Sequence, residues 1–121
     1  MASPFILPLS DTAATDPENV GPKAANLARL GQAGLPTPGG FAITAAAYRH
    51  QLRHLGIADL LRQYNEADLP TSRKLSVQIR MALYEKPIAP EIYEPLIADW
   101  RARETPLGVV RSSALIEDRK G

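Results

Sequence analysis

Two cations stand at positions where the chain could present them to an anion, and the first is Lys23. It lies in the stretch Val20-Gly-Pro-Lys-Ala-Ala-Asn-Leu27, where Pro22 suits the first position of a helix because a proline loses no hydrogen bond there. Lys23 would then lie in the first helical turn, where backbone N–H groups and the helix dipole add to its positive charge. The pattern favours a phosphate-binding helix start, and the alternative is a lysine that extends into water.

The second cation follows a short apolar run near the end of the chain. The sequence Val109-Val-Arg-Ser-Ser113 predicts a strand whose apolar half gives way to Arg111 and two hydroxyl side chains. A planar guanidinium beside short hydroxyl donors suits recognition of a phosphate or a carboxylate. The alternative is an edge strand in which Arg111 pairs with Glu117 or Asp118.

Length and composition limit the classes of protein that this chain can form. Its 121 residues suffice for one domain with a modest core, and 45% apolar with 22% charged residues is typical of a soluble globular protein. A net charge of +1 gives no case for a nucleic acid or a membrane surface as partner. The start lacks the basic region of a signal peptide, so we expect a cytoplasmic protein.

Metal and thiol chemistry find little support in the sequence. The chain has no cysteine, which excludes disulfides and cysteine-based zinc sites. His50 and His54 share a helix face, but Arg49 and Arg53 adjoin them and oppose cation binding. We therefore expect solvated or partly packed histidines and no metal site.

Hydrophobic periodicity predicts an α+β domain in which helices pack on a small sheet. Strands are expected at residues 5–9 and 41–44 on either side of a polar loop, a helix and a rigid Pro- and Gly-rich turn at 35–40. Thr44 is expected to cap a helix that ends at Gly56. Further helices are expected at residues 22–30, 57–64 and 72–84, and near the end of the chain.

Two helix starts are less obvious than the others. Ser72 can cap the helix expected to run to residue 84, after a loop at 65–70. The last helical pattern contains Ile92 and Trp100, but Pro95 inside it would remove a hydrogen bond, so we expect this helix to begin near Pro95.

Three phrases in this order resemble a known family. They are the Lys23 stretch, then Ala33-Gly-Leu-Pro-Thr-Pro-Gly-Gly-Phe41 with Ile43-Thr44 and Tyr48, then Val110-Arg-Ser-Ser-Ala114 with Glu117-Asp118. Together they resemble the amino-terminal nucleotide-binding domain of the phosphoenolpyruvate synthase and pyruvate phosphate dikinase family, which rifampin phosphotransferase and the glucan water dikinases share. Each phrase alone is a weak match, and their common order makes the resemblance specific.

The resemblance implies the first lobe of an ATP-grasp fold, with residues 1–121 as an incomplete amino-terminal part of the ATP-binding domain. It implies that Lys23 and Arg111 contact the phosphates of ATP, with Arg111 also in a catalytic role, because those positions match the family's lysine and arginine. It further implies Mg²⁺ held by ligands outside this chain. The partners would be ATP, the second lobe and the phosphohistidine domain of a longer protein.

The chain departs from the family pattern at Pro22, where the family has a second glycine, and this change could weaken or rearrange phosphate binding. The phosphate-covering loop and the second lobe are not in the sequence, so we expect the 121 residues alone to be inactive. As part of a longer protein, the chain would help an ATP-dependent phosphotransferase move phosphate to a histidine and on to an acceptor such as pyruvate. The alternative is a truncated, non-catalytic relative that acts as a binding or regulatory module.

Overall fold

The apolar stretches that begin at Phe5 and Phe41 pair as a small antiparallel sheet. The computed structural model describes residues 3–103 and 107–114, in which β1 (Ile6–Pro8) lies beside β2 (Phe41–Ile43). Ile6 is opposite Ile43 and Pro8 is opposite Phe41. Pro8 has no N–H to donate, which suits its place in a short edge strand. Both expected strands are confirmed, with slightly narrower bounds.

The described part of the chain contains five α-helices besides this sheet, which confirms the α+β class. A 3-10 helix, Thr12–Thr15, precedes them within the expected polar loop. The helices are α1 (Pro17–Gln32), α2 (Ala45–Leu55), α3 (Ala58–Glu66), α4 (Leu69–Glu85) and α5 (Pro90–Ala102). None of these helices combines the length and the apolar character that crossing a membrane requires.

Helix α2 forms as its sequence predicts. The Thr44 hydroxyl accepts a hydrogen bond from the Ala47 N–H at 3.2 Å, and Gly56 ends the helix with a left-handed φ of 70°. The same hydroxyl donates to the Pro4 carbonyl at 2.8 Å, so Thr44 also fixes the segment that leads into β1. Thr44 is buried, and both of its hydrogen-bonding functions are used.

An extra helical turn precedes the expected start of α1 at Pro22, and the expected start of α4 is wrong because a better cap lies a few residues earlier. Helix α1 begins at Pro17, where Asp16 accepts the Glu18 N–H at 2.9 Å. Helix α4 begins at Leu69, where Asp68 accepts the Thr71 N–H at 2.9 Å. The Ser72 hydroxyl instead donates to the carbonyl of Leu69 inside the first turn.

Helix α5 also begins earlier than expected, at Pro90 rather than near Pro95. Its first turn is anchored by the side chain of Gln51 in α2, which accepts the Ala89 N–H at 2.8 Å and donates to the Pro87 carbonyl at 3.1 Å. Buried Ile92 then packs against α2. Tertiary packing of the first turn thus outweighs the hydrogen bond that Pro95 removes.

The core is small and rich in alanine. Ala47, Ala89 and Ile92 form its central cluster, with Phe5 packed against it. Ala25 and Ala28 of α1 are also completely buried. Small side chains let helix backbones approach closely, so short helices can pack without large residues.

The expected strand at residues 109–113 is wrong. Residues 107–114 form no regular secondary structure, and the side chains of Val109 and Val110 are 81% and 100% exposed. A strand requires a neighbouring backbone to complete its ladder. Within the described ranges, the sheet consists of β1 and β2, and neither extends to this segment.

Candidate functional site

Helix α1 is broken by a kink at Gly21. This residue has φ 82° and ψ 161°, a backbone conformation that is essentially restricted to glycine. The chain resumes its helical course at Pro22, where the ring needs no hydrogen-bond donor. The helix therefore starts twice, and the second start lies where the sequence predicts it, with Lys23 in the first turn.

A serine from the far end of the chain caps this second start. The Ser113 hydroxyl accepts a hydrogen bond from the Ala24 N–H at 3.1 Å, across 89 positions of sequence. Ala24 occupies the third position of the helical segment, where a capping side chain normally bonds. Gly21 occupies the capping position itself and has no side chain, so Ser113 supplies the missing acceptor.

The backbones of the two segments are also in direct contact. Gly21 is buried, and a β-carbon on it would overlap the carbonyl oxygen of Ser113. Glycine is therefore required here twice, once by its φ and once by its neighbour. The space that a side chain would fill is already occupied by residue 113.

This contact brings together the two backbone segments that carry Lys23 and Arg111. Lys23 directly precedes Ala24, and Arg111 lies two residues before Ser113. Both side chains are exposed. The arrangement can present a lysine, an arginine and the positive end of a helix to one anion. Glu117 and Asp118, the alternative partners considered for Arg111, lie outside the described residues.

The role of Ser113 is not apparent from sequence. Ser113 belongs to the third phrase, but nothing near it in sequence points to a helix start 89 positions earlier. A glycine just before a helix-starting proline was the available signal, because it leaves the helix without a local capping side chain.

The second phrase, at the Pro- and Gly-rich turn, has a structural role in this molecule. Arg103, at the end of α5, donates to the Gly40 carbonyl at 3.1 Å and to Asp99 at 2.8 Å. Its guanidinium also lies 5.0 Å from the centre of the Phe41 ring. These contacts hold the turn against β2 and α5. No local pattern around Arg103 predicts this role.

The two histidines differ in their surroundings. His50 stacks on Phe5 with ring centres 4.8 Å apart, and its Nε2 lies 3.5 Å from a Glu91 carboxylate oxygen. The pKa of Glu91 lies below its usual value because its carboxylate accepts its own backbone N–H, and His50 and His54 add to this effect. His54 is exposed. Residues 3–103 and 107–114 contain no cluster of three or more His, Cys, Asp or Glu side chains arranged to hold a metal ion.

The chain is similar in sequence to known proteins of the family that the three phrases resemble. The family model described as "Pyruvate phosphate dikinase, AMP/ATP-binding domain" matches residues 17–121. A probable phosphoenolpyruvate synthase of Staphylothermus marinus is 32% identical over 94% of this chain and 15% of its own length. The phosphoenolpyruvate synthase of Aeropyrum pernix is 34% identical over 82% and 13%, and that of Neisseria meningitidis is 30% identical over 98% and 17%.

No solved structure matches the chain significantly. The chain spans less than a fifth of the length of each of these three relatives. The family match, in contrast, covers most of the chain and includes the kink at Gly21, Lys23 and the segment that carries Arg111. The chain therefore belongs to the family of the pyruvate phosphate dikinase AMP/ATP-binding domain.

Proposed function

We propose that residues 1–121 form the amino-terminal part of an ATP-binding domain of the ATP-grasp type, in which Lys23 and Arg111 contact the phosphates of ATP. One observation carries this proposal: Ser113 contacts Gly21 and Ala24, which joins the two cation-bearing segments. The family match to an AMP/ATP-binding domain supports the choice of nucleotide.

The residues around the kink suit a phosphate group. Lys23 and Arg111 are exposed, so a polyphosphate can reach them without unfolding the chain. The side chain of Arg111 offers a planar set of donors that matches phosphate oxygens, and Lys23 adds a compact charge. Pro22 stands at a first helical position, where an N–H would have no partner inside the helix. The change from the family's glycine therefore breaks no helical hydrogen bond.

The proposed reaction is phosphoryl transfer in a longer protein, as the names of the relatives suggest. A phosphorus–oxygen bond of ATP breaks, its electron pair leaves with the departing oxygen, and a phosphorus–nitrogen bond forms to a histidine of another domain. The phosphorus–nitrogen bond then breaks, its electron pair returns to the histidine nitrogen, and an oxygen of an acceptor such as pyruvate bonds the phosphorus. Mg²⁺ is expected to be held by carboxylates outside this chain.

Within that reaction, Lys23 and Arg111 would act mainly through charge and position. Phosphoryl transfer depends on holding the reacting groups in line and on stabilising negative charge on the phosphate oxygens. Lys23 would hold the phosphates at the helix start. Arg111 would bind them from the opposite segment and stabilise the charge that moves onto the leaving oxygen, which is its proposed catalytic role.

The test is to replace each cation with alanine in the full-length protein. Mg-ATP binding is measured by calorimetry, and phosphoryl transfer with ATP labelled on both its β and γ phosphates. Lys23→Ala and Arg111→Ala should each weaken ATP binding about 10- to 100-fold, the usual cost of losing a hydrogen bond to a charged group. Lys74→Ala and Arg73→Ala, which remove exposed cations from α4, are the matched controls and should leave binding unchanged.

If both Lys23→Ala and Arg111→Ala bind ATP and transfer phosphate like the unchanged protein, the site assignment is wrong. If the full-length protein binds ATP through these residues but transfers no phosphate, it is a binding module and not an enzyme. The two outcomes separate the site from the activity.

A further inference from the structure

We infer that Ser113 is a positioning residue that sets Arg111 in register with Lys23, an inference that rests on the proposed function of these two cations. The Ser113 side chain links the two segments that carry these cations. The Ser113 hydroxyl is bonded to the helix start that carries Lys23, and its backbone continues to Arg111 two residues away.

The helical segment that starts at Pro22 takes its capping acceptor from a distant part of the chain. In a common helix start, the capping residue bonds the N–H of the second or third helical residue through its own side chain. Gly21 has no side chain and cannot do so. At the starts of α1 and α4, in contrast, Asp16 and Asp68 cap the helix with their own side chains. The 3.1 Å bond from Ala24 to Ser113 is therefore a cap taken from the partner segment.

The segment that carries Arg111 depends on contacts at its two ends. Before Arg111, the Trp100 ring lies so close to Gly108 that a β-carbon there would approach it to 2.7 Å. After Arg111, Ser113 packs on Gly21 and bonds Ala24. Between these contacts, Val109 and Val110 are exposed and contribute little burial. The contacts at Gly108 and Ser113 therefore both help to set the position of Arg111 along this segment.

These two contacts of Ser113, with Gly21 and with Ala24, make the fit at residue 113 specific. Because the Ser113 carbonyl occupies the space above Gly21, the segment cannot shift toward the helix. Because its hydroxyl bonds Ala24, the segment cannot withdraw without leaving a helical N–H without its cap. A shift of one residue would replace Ser113 with Ser112 or Ala114 and would move Arg111 by more than 3 Å, the rise of extended chain.

A double-mutant cycle in the full-length protein tests this inference. Ser113→Ala should weaken Mg-ATP binding about tenfold by calorimetry, an effect expected when a net hydrogen bond that orders the site is lost. Ser113→Thr keeps the hydroxyl and should restore binding to within about threefold, and Ser76→Ala on α4 is the control. In an Arg111→Ala background, Ser113→Ala should cost almost nothing further, because a positioning residue acts through the residue that it positions.

A second measurement follows the cap itself. Hydrogen–deuterium exchange of a peptide that covers residues 20–27 should be faster in Ser113→Ala and unchanged in Ser113→Thr. If Ser113→Ala unfolds the domain, Ser113→Cys replaces it, because a thiol keeps the volume but is a weak acceptor. Its ATP affinity should then lie below that of the unchanged protein, and an unchanged affinity would overturn the inference.

The outcomes distinguish this inference from the proposed function. If Arg111→Ala weakens ATP binding and Ser113→Ala does not, the inference is wrong and the proposed function stands. If the effects of Ser113→Ala and Arg111→Ala add fully, Ser113 contacts ATP itself and is not a positioning residue. If neither Lys23→Ala nor Arg111→Ala weakens binding, the proposed function fails first.

Discussion

The two ends of the helical segment from Pro22 to Gln32 are closed in different ways. At its carboxyl end, Gly34 adopts a φ of 90° and its N–H bonds the Gly31 carbonyl at 3.1 Å. The next N–H, of Leu35, returns to Leu30 at 3.1 Å. This is a Schellman closure, and six consecutive residues contain all of it.

At its amino end, the acceptor comes from Ser113, 89 positions away. This difference shows which end of the helical segment can bring together residues from distant parts of the chain. A locally closed end forms with the helix and involves no other part of the chain. A helix amino end that is capped by a distant segment holds that segment at the positive end of the helix. Here the capping segment carries Arg111.

The largest effect is expected from an alanine at each of the two glycines. Gly34→Ala should cost about 1–2 kcal/mol of stability, the penalty for a left-handed residue in open space. Gly21→Ala should cost about 3 kcal/mol or more, because backbone strain adds to overlap with the Ser113 carbonyl. Urea unfolding of the full-length protein, followed by a probe in this domain, gives both values.

Gly21→Ala should also weaken ATP binding, whereas Gly34→Ala should leave it unchanged, since only Gly21 contacts the segment of Arg111. If Gly21→Ala and Gly34→Ala lost the same stability and bound ATP with the same affinity, the contact between Gly21 and Ser113 would have no consequence beyond the helix.

A smaller effect is expected at Thr44, whose hydroxyl caps α2 locally and also bonds the distant Pro4 carbonyl. Thr44→Val keeps the shape but removes the acceptor of the Ala47 N–H and the donor to the Pro4 carbonyl, both in a buried place. We expect a loss of about 2 kcal/mol in the free energy of unfolding. Thr12→Val, at an exposed position of the 3-10 helix, is the control. A loss no larger than that of the control would mean that neither the cap of the Ala47 N–H nor the bond to Pro4 contributes to stability.

The smallest effect is expected at Asp68, whose cap on α4 is local and exposed. The pKa of Asp68 is lowered because the Thr71 side chain and then the Thr71 backbone N–H donate to its carboxylate. A lowered folded pKa stabilises the protein above the unfolded value of about 3.9, and this contribution is lost as the pH falls through the folded value.

Asp68→Asn keeps a capping oxygen but cannot titrate. Its melting temperature should lie slightly below that of the unchanged protein at pH 6 and should approach it as the pH falls through the lowered pKa of Asp68. Thr71→Val, which removes the first donor, should narrow the pH range of the effect. A difference that persists unchanged at low pH would show that the charge of Asp68 does not contribute.

The features that could be predicted from the sequence are those that neighbouring residues complete. Thr44 and Gly56 bracket α2 with the expected bounds, and the strands at Ile6–Pro8 and Phe41–Ile43 follow their apolar runs. The start of α4 was misplaced because Ser72 and Asp68 are both good capping residues, and only the folded chain shows which one is used.

The features that could not be predicted depend on distant parts of the chain. Pro95 argued against an early start of α5, yet Gln51 of α2 anchors that start from another helix. The run at residues 109–113 has the composition of a strand, but strand formation depends on a neighbour that its own sequence does not specify.

By itself, the sequence determined the family, the α+β class and the two cations, because residue types, their order and local helix signals are properties of the chain read along its length. Only the tertiary structure decided that the segments of Lys23 and Arg111 meet, through a serine hydroxyl at a helix start that has no side chain of its own. The physical reason is that a hydrogen bond across 89 positions forms only when the whole fold brings its donor and acceptor together, and no local pattern records it.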